Sequence, residues 1–98
     1  MKVELLASAK KDLVEGFDFY ERQQSGLGAN FLESLFGDID TLAHHAGIHR
    51  RIHGAHRLLS TRFPYAIYYN VEDNTAKVKA VLDCRRDPQH IQRELGKA

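Results

Sequence analysis

The sequence predicts an α+β fold in the order strand, helix, helix, strand, strand, strand, helix. Three observations carry that reading. Apolar residues recur at three- and four-residue steps through the first half, which is the helical period. In the second half they alternate with polar residues or gather in aromatic and β-branched runs, as strands do. Gly, Pro, Asn and Asp punctuate the junctions. A chain of 98 residues supports one hydrophobic core, so residues 1–98 are read as a single domain. The expected architecture is an N-terminal strand, an α-helical hairpin packed on a small, mainly antiparallel twisted sheet, and a short C-terminal helix.

Residues 3–6 form a short apolar run opened by a β-branched residue, a first strand. Ser8 follows as the expected N-cap of a helix, whose apolar face is Leu13, Phe17 and Tyr20. Ser25, Gly26 and Gly28 interrupt it. A second helix begins near Ala29, repeats through Phe31, Leu32, Leu35, Phe36, Ile39, Leu42 and Ala43, and is closed by Gly47. So short a link makes the two helices an antiparallel hairpin. After a loop centred on Gly54, residues 56–62 and 65–71 are strands separated by Pro64. Glu72, Asp73 and Asn74 turn the chain into a strand where Ala76, Val78, Ala80 and Leu82 alternate with Lys77 and Lys79. Asp87 before Pro88 starts a last helix over 88–95.

Charge narrows the function classes. With 14 Lys and Arg against 13 Asp and Glu, the formal charge of +1 selects neither a nucleic-acid binder nor a membrane-surface protein. The balance hides an asymmetry, because residues 1–40 hold eight acids and four bases while residues 41–71 hold no acid and four arginines. That basic block (Arg50, Arg51, Arg57, Arg62) also holds five of the six histidines and is a candidate surface for an anionic partner. The single cysteine, Cys84, closes no intrachain disulfide, reads as a small buried hydrophobe and fits a reducing cytoplasm. The apolar stretch at 3–9 is too short for a signal core or a membrane span, so neither export nor insertion is expected.

His44, His45, His49 and His53 include i, i+4 pairs, but Gly47 breaks the helix that would align them. A titratable patch is expected there, with no metal and no cofactor. Tyr65 and Tyr69 share one strand face and Tyr68 the other, so packing takes at least one of them from base stacking. If the last strand runs on through Arg85 and Arg86, these point to opposite faces. One can then pair with Asp83 or Asp87, with Arg86 and Asp87 anchoring the final helix.

The run RFPYAIYY at 62–69 and the run VLDCRRDP at 81–88, set behind the helical hairpin, resemble the RelE/ParE superfamily of bacterial type II toxins. The similarity is closest to the ParE-like branch, which includes plasmid stabilisation proteins, and covers essentially the whole chain. It implies a toxin held inert by a cognate antitoxin and acting on DNA gyrase, with DNA met only indirectly, through the antitoxin. The alternatives are a ribosome-dependent messenger RNA endoribonuclease of RelE type and a non-toxic binding homologue.

Under the resemblance Arg85 falls at the position of a family arginine and Arg62 lies near another. If the chain is a nuclease, Arg62, Arg85 and His90 are its catalytic candidates, since cleavage needs an acid, a base and cations for the phosphate. The chain departs from that pattern, for the terminal aromatic or histidine is displaced to His90 in a helix start. His49, Arg50, Arg51 and His53 stand where the nuclease branch has a lysine-rich loop. No catalytic residue is therefore expected. Arg50, Arg51, Arg57, Arg62 and Arg85, with Leu13, Phe17 and Tyr20, are the expected target or antitoxin contacts, and Asp12, Glu15, Asp18 and Glu21 would flank a basic antitoxin segment. Convergence of His90, an outward arginine and a tyrosine on a phosphate-sized hollow would reverse that choice.

Overall fold

A computed structural model describes residues 1–97. Alternating side chains make β1 (Lys2–Leu5) a strand, and the 3.6-residue period carries α1 (Ala7–Gln23) and α2 (Leu27–Asp40). A short α3 (Leu42–His45) extends the second helix beyond Thr41, and Gly47 follows at φ +94°, where glycine carries no penalty. Then come β2 (Arg51–Ile52), β3 (Ala55–Leu59), β4 (Tyr65–Glu72), β5 (Thr75–Asp83) and α4 (Pro88–Lys97). The expected order holds, with α3 and β2 added.

The sheet order is β1-β5-β4-β3-β2, in which only β1 runs parallel to its neighbour, with Lys2 opposite Thr75 and Leu5 opposite Val78. Two tight turns build the antiparallel part. His53 and Gly54 join β2 to β3 at φ 53° and 81°, and Asp73 and Asn74 join β4 to β5 at φ 49° and 57°. Both pairs sit in the left-handed region that a two-residue hairpin requires.

Both sheet faces are covered. On one, α1 and α2 lay Leu13, Tyr20, Phe31 and Leu35 over Tyr65, Ile67, Tyr69, Ala76, Val78 and Val81. On the other, Ile91 and Leu95 of α4 cover Ala66, Tyr68, Ala80 and Leu82. A register shift between Tyr68 and Tyr69 makes both assignments possible, because Tyr68 faces Ala80 while Tyr69 faces Val78. Lys79 is the extra residue of this bulge, and it reverses the inward phase of β5.

The bulge decides two residues of α1. Ser8 is not a cap, since Leu6 precedes the helix and no side chain caps it. Its hydroxyl instead donates to the Lys79 carbonyl at 2.5 Å, and one turn later Asp12 Oδ2 accepts from the Val81 N–H at 2.9 Å. β1 pairs with β5 only as far as Val78, so Ser8 and Asp12 serve backbone groups that have no strand on that side. The start of α2 is served from outside as well. Glu21 accepts from the Gly26 N–H at 3.0 Å and from the Gly28 N–H at 3.0 Å, which places a carboxylate on free amides at a helix N-terminus.

Candidate functional site

The end of β5 carries the residues of greatest chemical interest. The strand stops at Asp83, so Arg85 and Arg86 lie in a turn and do not continue a strand's alternation. Cys84 in the same turn is exposed, contrary to the buried role expected of it, because the chain leaves the sheet one residue earlier. Partial burial still pushes its thiol up, away from the thiolate a nucleophile needs. Asp87 performs as expected, its Oδ1 accepting from the Gln89 N–H at 2.8 Å at the start of α4.

Arg85 is held by Asp83. Its Nε donates to Oδ1 at 3.0 Å and its Nη2 to Oδ2 at 2.7 Å, a two-pronged pair, while the Arg85 backbone N–H also donates to Oδ1. The guanidinium holds the Asp83 carboxyl below the usual carboxylate range, and the carboxylate raises Arg85 in turn. The Pro64 carbonyl accepts from the Cys84 N–H at 2.8 Å, which brings the exposed turn of Arg62 against the turn of Arg85.

A groove of about 700 Å³ opens between α1, the unpaired stretch of β5 and α4. Tyr65, Arg86 and His90 line it together, whereas Arg62 and Arg85 do not. The three residue types that would favour cleavage share its lining, but a groove of this volume, lined by 17 residues, is no phosphate-sized hollow on which they converge, and its charges weigh against cleavage as well. Asp12, Glu15, Asp83 and Glu94 line the same walls, nearly matching Lys11, Arg22, Lys79, Arg86 and Lys97, so little net field is left to hold a phosphodiester. Burial first, and then Asp83, push the Tyr65 hydroxyl up to about 12, a poor proton donor or base near neutrality. Burial pushes Asp12 up to about 6 despite its bond from Val81.

Arg62 apart, the basic block lies toward the other edge of the sheet, on β2, β3 and the segment before them. Arg50 and Arg51 are exposed beside β2, with Arg51 Nη2 donating to the Gly54 carbonyl at 2.8 Å. Arg57 is half-buried on β3, opposite Tyr68 of β4. The apolar contact residues are placed differently. Leu13 and Tyr20 are 4% and 7% exposed within the hairpin core, so of the three expected contacts Phe17, half-buried, keeps some surface for a partner, while Val14, Phe19 and Phe36 of the same hairpin are exposed. The acidic first helix is likewise partly occupied, with Asp12 and Glu21 bonded to backbone and only Glu15 and Asp18 free of backbone bonds. Tyr65, Tyr68 and Tyr69 are all buried, which takes base stacking away from each. Among the described residues no three His, Cys, Asp or Glu side chains gather as metal ligands. Nor is any helix among them long and apolar enough to cross a membrane.

The groove residues Asp12, Tyr65 and Arg86 were not singled out by sequence as a group. The one available signal was an aspartate on the inner side of an amphipathic helix, since such a group must find a partner.

The profile of the family described as "ParE toxin of type II toxin-antitoxin system, parDE" matches residues 3–88. The chain belongs to the ParE toxin family. This ParE-family fold is similar to a solved structure titled "Chromosomal ParDE TA system from P. aeruginosa", with a TM-score of 0.70 at 18% identity, over 83% of this chain and 92% of that one. At that identity the likeness concerns the fold. No curated protein matches the sequence.

Proposed function

We propose that this ParE-family chain is the toxin of a type II pair, inhibiting DNA gyrase by direct binding and neutralised by a cognate antitoxin. The observation that carries a binding role is the occupied fork of Arg85. The arginine at the family position makes two bonds to Asp83, so it would have to give them up before meeting a phosphate. Arg50, Arg51 and Arg62 remain exposed, and with Arg57 and Arg85 they are the cations proposed to meet the target or an acidic stretch of the antitoxin. Of the three expected apolar contacts, Phe17 is the one that burial leaves partly open.

The experiment is gyrase supercoiling with the purified chain added. Relaxed plasmid should persist in its presence, and supercoiling should return when the antitoxin is supplied. Unchanged supercoiling at stoichiometric excess over gyrase would overturn the reading.

A second reading is favoured by one observation, the presence of Tyr65, Arg86 and His90 in the lining of one groove. It is a ribosome-dependent endoribonuclease, for which His90 would serve as acid or base and Arg86 as phosphate anchor. Cuts at the ribosomal A site in translated messages, lost in His90→Ala and Arg86→Ala, would establish it. A chain that neither inhibits gyrase nor cuts messages would be a binding homologue without toxicity.

A further inference from the structure

The acid-free stretch does more than present cations, because three of the four ring nitrogens of His49 and His56 are committed to specific partners. Tyr69, on the central strand β4 and 0% exposed, directs its hydroxyl at the segment leading into β2. That oxygen accepts from the Gly47 N–H at 2.9 Å and is hydrogen-bonded to His49 Nδ1. His56 stacks on the same tyrosine, ring centroids 5.1 Å apart and planes 24° from parallel, and its Nδ1 lies 2.7 Å from the His49 carbonyl. Its Nε2 faces Arg51 Nη1 at 3.4 Å.

These partners assign the protons. The Gly47 N–H donates to the Tyr69 oxygen, and among the described residues His49 Nδ1 is the acceptor within reach of the phenolic proton, so the assignment that satisfies all three groups has Tyr69 donating to a neutral His49 with its own proton on Nε2. His56 must carry a proton on Nδ1 to meet a carbonyl, leaving Nε2 to accept from Arg51. Among the described residues, 46–49 have no partner strand, and Ile48 in their midst is 75% exposed, while Arg50 is already tied to β3 by the Arg57 N–H, which donates to its carbonyl at 2.9 Å. Apart from the packing of Ala46 on the core, residues 46–49 are held on the sheet by this cluster.

We propose that His49 and Tyr69 form an acid-released latch, holding residues 46–49 against β4 while His49 is neutral and freeing them when it is protonated. The geometry favours one charge state. A proton on Nδ1 would aim a donor at the hydroxyl and leave the phenolic proton without its acceptor in a part-buried site. The groups that bear on His49 are His56 from β3 and His45 from α3, with Arg51 of β2 behind His56, and among the described residues no carboxylate joins them. Burial first, then His56 and His45, hold His49 below the ordinary imidazole value. The latched state therefore binds fewer protons than the released one. Its hold is complete above the free imidazole value of about 6.5 and is lost as pH falls below that value and through the lowered one. Release changes how Ile48 is presented beside the basic edge of the sheet.

The test uses the full-length chain labelled for NMR, following the His49 ring and the exchange protection of the Gly47 amide from about pH 7.5 to about pH 5. His49 should titrate below about 6.5. Gly47 protection, corrected for intrinsic exchange, should drop about tenfold or more across the same midpoint while the amides of β4 stay protected. Tyr69→Phe keeps the ring and deletes the hydroxyl, so the His49 midpoint should rise to the ordinary range and Gly47 protection should already be low near neutrality. His49→Gln covers the case in which Tyr69→Phe fails to fold, and in it Gly47 protection should no longer depend on pH. A wild-type Gly47 amide equally protected at both ends of the range would overturn the proposal. So would an acid loss of protection that persists in His49→Gln.

Discussion

The ring of Phe31 fills the space that a side chain at Gly16 would need, for a Cβ there would meet Phe31 Cζ at 2.4 Å. The contact is reciprocated along the hairpin. A Cβ at Gly28 would stand 2.8 Å from the Phe17 ring and 2.8 Å from the Phe17 carbonyl. Each helix thus receives an aromatic ring of the other on a glycine, and the hairpin that covers the sheet depends on both.

Gly16→Ala should cost about 1–3 kcal/mol in denaturant unfolding, because the displaced ring belongs to the packed core and the gain in helix propensity is smaller. Gly37 of α2 is the control, with nothing within 4 Å of its would-be Cβ. Gly37→Ala should stabilise the chain by up to about 1 kcal/mol. Equal effects of the two substitutions would remove the packing argument.

Asp12 predicts an unusual response to pH. Burial raises its carboxyl to about 6, so the folded chain binds a proton more readily than the unfolded one. Its ionisation therefore works against folding, and that part of the stability, present below about pH 4, is lost as pH rises through about 6. Asp12→Asn retains an oxygen for the Val81 N–H and removes the charge, and it should stabilise the chain near neutrality by roughly 1–2 kcal/mol after discounting for partial exposure. Asp12→Ala should destabilise by about 1–2 kcal/mol, since the Val81 N–H loses its partner. Unfolding midpoints measured between about pH 4 and pH 8 check both signs.

Glu21 caps a helix to which it does not belong. Glu21→Ala should cost about 1 kcal/mol and fray the first turn of α2, seen as faster amide exchange at Gly26 and Gly28. Glu21→Gln keeps one acceptor oxygen and should recover most of the loss. If alanine and glutamine behave alike, the cap contributes little.

Arg85 separates stability from function. Its pair with Asp83 is exposed on the arginine side, so Arg85→Ala should leave thermal unfolding essentially unchanged. Gyrase inhibition or antitoxin affinity should nevertheless fall several-fold, as expected of a contact cation. Retention of both would remove Arg85 from the contact surface. Asp83→Asn releases the fork and should strengthen any contact the arginine makes with an anionic partner.

Much of the architecture is legible in the residues. The 3.6-residue period through Leu13, Phe17 and Tyr20 and again through Phe31, Leu35 and Ile39 locates both long helices, and Asp87 before Pro88 locates the last one. Periodicity and caps are local, so a linear reading reaches them. Ser8 was misread because a serine before an apolar period serves as a cap in isolation, while here a bulge at Lys79, 71 residues away, claims its hydroxyl. Asp12 and Glu21 look like a solvated acidic face for the same reason.

By itself the sequence determined the fold class, the family and the segregation of cations between residues 41 and 71. The fold class and the charge segregation follow from short-range spacing and composition, and the family from the resemblance of the runs at 62–69 and 81–88. Only the tertiary structure decided which charges stay free. It spent Asp83 on Arg85, Asp12 on Val81 and Glu21 on Gly26 and Gly28, and it set Tyr65, Arg86 and His90 around one groove and His49 against Tyr69. A side chain's hydrogen-bond partner and its access to water are properties of the packed chain, arising from residues far apart in sequence, and no local pattern encodes them.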